Sequence, residues 1–178
     1  MLFQSWEAIF TVFATLNISS YATAKALVDI KDDKDGFVFS AELLTIILTC
    51  IIFVFYLIVH FVYGSLDDLP FPVMVSLFFD IIFVAIFNFW SQLERYYLRY
   101  RALVVVSLFI GVFSPVIAFL LIKYSDKLGL YKGWARIVSI VLLNGMVAVY
   151  LLVISAKKSK FKIRIDYWKY CIVVVEAF

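Results

Sequence analysis

Apolar residues in this chain come in long unbroken runs rather than in short alternations. Positions 43–63 (LLTIILTCIIFVFYLIVHFVY), 71–91, 102–122 and 137–155 each hold about 20 mainly apolar residues, the length a helix needs to cross a hydrocarbon layer about 30 Å thick. They predict an all-α integral membrane protein: a polytopic bundle of four strong transmembrane helices filling 43–155. The first two runs form a hairpin around a turn without basic residues, GSLDDLPFP. At 1–27 the pattern changes. Leu2, Trp6, Ile9, Phe13 and Leu16 recur at helical spacing, with Gln4, Glu7, Thr11 and Thr15 on another face. This predicts a helix that is either interfacial or a fifth, weakly apolar span.

Polar residues inside the runs fall on stripes. Glu42, Thr45, Thr49, Tyr56 and His60 follow one face of the first run. Ser76, Asp80, Asn88 and Ser91 lie within about 120° of arc on the second, at 100° per residue. Lipid offers such groups no partners, so both stripes face protein or water. Asp80 is the most consequential, because an ionisable group at membrane depth is costly. Counting from the turn at 1.5 Å per residue puts Tyr56 level with it, within donating reach, and His60 nearer Ser76. Asp80 then either fixes helix pairing or, with Tyr56 or His60, lines a proton or cation path.

The third run carries small residues at Ser107, Gly111, Ser114 and Ala118, spaced as a helix-packing face, and Pro115 predicts a kink there. In the fourth, Asn144, Ala148 and Ser155 point one way. The tail, 156–178, is basic and then alternates Phe161, Ile163 and Ile165 with Lys162, Arg164 and Asp166, which reads as a short strand. Its apolar end, YCIVVVEAF, is β-prone and too short to span, so it is expected to be covered by this chain or by a partner.

Composition agrees with lipid as the solvent: 65% of the 178 residues are hydrophobic, against 45–50% in soluble domains. A net charge of +3, dispersed, leaves no basic patch for nucleic acid. Nothing basic precedes Lys25, so no signal peptide is expected. The 16 Lys and Arg are unevenly divided. Twelve flank one side of four spans, at Lys25–Lys34, Arg95–Arg101 and the tail, and four, Lys123–Arg136, flank the other. This bias predicts a cytoplasmic 28–42 loop, 92–101 loop and C-terminus.

Candidate chemistry is sparse. In 28–42, read as a polar loop, Asp33, Asp35 and Glu42 take positions three, five and twelve of a calcium-loop spacing around Gly36. Lys31 stands where the first carboxylate belongs and would repel the ion. A solvated linker is the expectation, with no metal. Cys50 and Cys171 form no metal or disulfide pattern, His60 has no companion ligand, and no cofactor motif is present. Three functions fit. The first is a non-enzymatic subunit, accessory or immunity-type protein that sits in the bilayer and binds a membrane protein partner, a homo-oligomer being the alternative assembly. The second is a small oligomeric channel or transporter using Asp80, with Glu42, Tyr56, His60, Asn88 and Asn144 along its path. The third, a membrane enzyme, would rest only on Asp80, Glu42 and His60.

Overall fold

The computed structural model describes residues 2–16, 18–30, 33–63, 71–128, 132–160 and 163–176, and regular structure among them is entirely helical. The helices are α1 (Leu2–Thr15), α2 (Thr23–Asp29), α3 (Lys34–Tyr63), α4 (Phe71–Tyr96), α5 (Tyr100–Leu128), α6 (Lys132–Lys158) and α7 (Ile165–Glu176), with a π-helical turn, Ile18–Ala22, before α2. Four of them, α3 to α6, are long and apolar enough to cross a membrane.

Each of these four extends beyond its apolar run. The 28–42 segment is a loop only in part: α3 begins at Lys34. Asp33 caps it, its Oδ1 accepting the Gly36 N–H at 3.1 Å, which satisfies one of the amides a helix start leaves open. A Cβ at Gly36 would run into that carboxylate, which is why glycine stands there. The calcium-like spacing is thereby undone: nine residues of α-helix put Glu42 roughly 13 Å along the axis from Asp33, too far to share an ion. Among the described residues no group of three His, Cys, Asp or Glu is placed to hold a metal.

The C-terminus of α4 closes with a Schellman motif. The Arg99 N–H reaches the Glu94 carbonyl at 2.9 Å and the Leu98 N–H reaches Arg95 at 3.0 Å, with Leu98 left-handed at φ 55°. This tight turn reverses the chain into α5. The main interface joins α4 to α6, α5 packs on the outside of α6, and α3 lies on α4. With 14 residues, α1 spans about 21 Å and is too short for a fifth crossing. It packs along α3 and α4, with Trp6, Phe10 and Ala14 against Tyr56, Met74 and Phe78.

The tail differs most from expectation. The strand expected at 161–166 begins outside the described residues, at 161–162; 163–164 carry no strand, and from Ile165 to Glu176 the chain is helix α7, docked on the first turns of α3. The Trp168 Nε1–H donates to the Ser40 carbonyl at 2.8 Å, Tyr170 Oη–H donates to Asp29 Oδ2 at 2.6 Å, and Arg164 pairs with Asp33 at 3.3 Å. Cys171 and Val174 are buried against Ile18, Ala22, Ala26, Leu27 and Phe37. β-propensity describes a fit to a pleated surface, and a helical groove offers none. The spacing Tyr167, Tyr170, Cys171, Val174 is a helical stripe, and burying it decides the conformation. The tail is thus covered by its own chain.

Candidate functional site

Two polar layers lie inside the bundle, both built from the stripes on α3 and α4. Glu42, Thr45, Thr49 and Tyr56 are all buried, as the α3 stripe requires. On α4, Asp80 and Ser91 are buried, but Asn88 is exposed.

In the first layer, Asn144 Nδ2 on α6 donates to Asp80 Oδ1 on α4 at 2.9 Å. The partner expected for Asp80 was Tyr56, yet the structure pairs it with Asn144. Tyr56 sits instead among rings, stacked with His60 at 5.9 Å between centroids and tilted against Phe78 at 5.7 Å. His60 also stacks on Phe71 at 5.3 Å, and its Nδ1 is buried with no hydrogen-bond partner among the described residues. The two residues of the α3 stripe nearest its C-terminus thus share one aromatic stack. A further carboxylate, Glu7 on α1, lies close enough to Asp80 for the two to repel. Its part in the layer was not legible, because the pairing of α1 with α4 was not.

The second layer lies nearer the α3 N-terminus. Glu42 is 1% exposed, and neither carboxylate oxygen has a hydrogen-bond partner among the described residues. The Ser155 hydroxyl on α6 is close enough to interact with it. Both sit on the wall of a small cavity that also touches Asp35, Trp90 and Lys158.

The small-residue face expected on α5 is only partly used within this fold, where Ser114 and Ala118 are half-buried. Ser107 and Gly111 are exposed, and a Cβ at Gly111 would meet nothing within 4 Å among the described residues. Leu103, Val106 and Ile110 are among the α5 residues turned to α4 and α6. Close approach occurs elsewhere, at Gly145 on α6, where a Cβ would lie 2.8 Å from Cε2 of Phe83 on α4. The central window of α5 has no buried residue at all, leaving large side chains such as Val105, Leu108, Val112 and Phe119 uncovered.

The basic ends do converge. Lys34 Nζ donates to Tyr96 Oη at 2.6 Å, so the α3 start meets the α4 end, and Arg164 of the tail segment meets Asp33 there. Comparison of the chain with protein-family models, with curated proteins and with solved structures finds no match.

Proposed function

We propose that this chain is a non-enzymatic, multi-pass membrane subunit that works by docking a transmembrane helix of another membrane protein onto α5. The observation that carries the reading is the small-residue lane at Ser107 and Gly111, open and unused by the fold. Small residues let a second backbone approach closely, which is how helices associate where lipid removes the hydrophobic drive. The pairing of Asp80 with Asn144 supports the same reading, since the central carboxylate is occupied in joining α4 to α6. Transport through Asp80 has less in its favour, with Asn88 outside the bundle and Tyr56 and His60 stacked among rings. The expected orientation has the α3 start, the α4–α5 turn and the tail in the cytoplasm, following the twelve-to-four division of basic residues.

The test is purification of the tagged full chain in mild detergent, with the mass of the intact complex measured. A different membrane protein in stoichiometric amount, lost on Gly111→Leu, is the expected result. The space around Gly111 means this variant should fold as the parent does. A pure homo-oligomer, or a complex indifferent to Gly111→Leu and Ser107→Leu, would refute the reading.

A further inference from the structure

Glu42 sets a problem that partner docking does not solve. A carboxylate with no partner, removed from water, carries a desolvation cost of several kcal/mol, and buried polar atoms are almost always satisfied. Here neither oxygen has a well-formed hydrogen bond among the described residues, Ser155 alone lying near, and Oγ1 of Thr45, one turn along the same helix, has none there either. Beside Glu42 is a cavity of about 10 Å³, the lower limit of what a single water needs. Its wall contains Glu42, Ser155, Trp90, Leu93, Val38 and Ile154, and its solvent end is formed by half-exposed Asp35 and exposed Lys158.

The geometry points to a proton-binding site: Glu42 holds a proton in this cavity and exchanges it, through one water, with the bundle end marked by Asp35 and Lys158. A proton removes the charge that the interior cannot support, and the water supplies the hydrogen bonds that the helices do not. On release the Oε–H bond of Glu42 breaks and its electron pair stays on the carboxylate. The proton passes to a lone pair of the water, making hydronium, and from there to a carboxylate oxygen of Asp35. Uptake is the reverse, so no other reactant is needed.

The charged and titratable groups around Glu42 follow from the packing. On α3, Asp35 shares the cavity wall; on α6, Lys158 does. From α4 come Trp90 and Leu93, while Glu94 is buried but outside the lining. α7 meets α3 on the side of Phe37 and Ser40, where Tyr167, Tyr170 and Arg164 lie, roughly 140–160° around the helix from Glu42 at 100° per residue. There Tyr170 binds Asp29 of α2. Glu7 of α1 faces Asp80, in the other layer. Two opposite charges at one opening suit a small neutral or singly charged traveller better than a divalent metal, which Lys158 would repel.

Infrared difference spectroscopy of the full chain in lipid vesicles tests this directly. Between alkaline and acid buffers, the parent should show the C=O stretch of a protonated carboxylic acid, shifted in D2O. Glu42→Gln should lose that band, and Asp80→Asn should keep it. Ser155→Ala should shift its frequency, which covers the case of Glu42→Gln failing to fold. A band that persists in folded Glu42→Gln, that never exchanges with D2O, or that Ser155→Ala leaves unmoved would overturn the proposal. So would a carboxylate signal that answers to sodium or potassium and not to pH. None of these readouts depends on α5, so the site stands or falls apart from partner docking.

Discussion

The hydrogen bond between Asp80 and Asn144 is the clearest place to test whether the intramembrane carboxylate is structural. The two residues are 64 positions apart and join α4 to α6, the most extensive helix pair in the fold. Interhelical side-chain hydrogen bonds in membrane proteins average about 0.6 kcal/mol and reach about 1.7; at 2.9 Å, with Asp80 only 4% exposed, this one belongs near the upper figure. Asp80→Ala should cost more than that coupling, because Asn144 loses its acceptor and a small void opens. Asp80→Asn should be mild or stabilising: an amide oxygen still accepts from Asn144, and the repulsion from Glu7 disappears. The assay is unfolding of the full chain by sodium dodecyl sulfate in mixed micelles, followed by helix content, on a double-mutant cycle of Asp80→Ala and Asn144→Ala. A coupling of about 1–2 kcal/mol is expected. A value inside the roughly 0.3–0.5 kcal/mol scatter of independent sites would refute the structural reading, as would Asp80→Asn proving as costly as Asp80→Ala.

Three further outcomes follow from the packing. Asp33→Ala removes both the α3 cap and the half-exposed pair with Arg164, so stability should fall by about 1–2 kcal/mol, most of it from the cap, with amide exchange in α7 rising first. Burial pushes the Cys171 thiol up to about 12, leaving roughly a thousandfold less thiolate near pH 8 than a free thiol has. In a Cys50→Ser background, maleimide should therefore label it slowly, and Trp168→Ala should speed labelling at least tenfold by loosening α7. The sign of the linkage follows: α7 docking is fully stable below the free thiol's value of about 8.5 and weakens as pH rises from there towards 12, visible as an alkaline gain in labelling beyond that of the thiolate fraction. Gly145→Ala should be nearly neutral, since about 1 kcal/mol of helix preference offsets pushing the tip of Phe83 into the open groove it lines. Gly145→Leu should cost about 1–3 kcal/mol by overpacking, read in the same micelle titration.

Features that depend on near neighbours along the chain can be read directly from its residues. Hydropathy accumulates locally, so the four apolar runs and their inward stripes were legible, Glu42, Thr45, Thr49 and Asp80 included. Capping is also local, yet the sequence around Asp33 and Gly36 reads as loop because charge there outweighs apolarity; the buried series Phe37, Val38, Ala41, Leu44 is the signal that α3 begins early. Tertiary structure alone decided the rest, because it depends on which surfaces meet. It gave Asp80 Asn144 as its partner, turned Asn88 outward, brought Glu7 within electrostatic range of Asp80 and put the close helix approach at Gly145 rather than at Gly111. It also made the β-prone tail a helix, since a residue's intrinsic preference amounts to tenths of a kcal/mol, whereas burying Trp168, Cys171 and Val174 in a preformed groove is worth several times more.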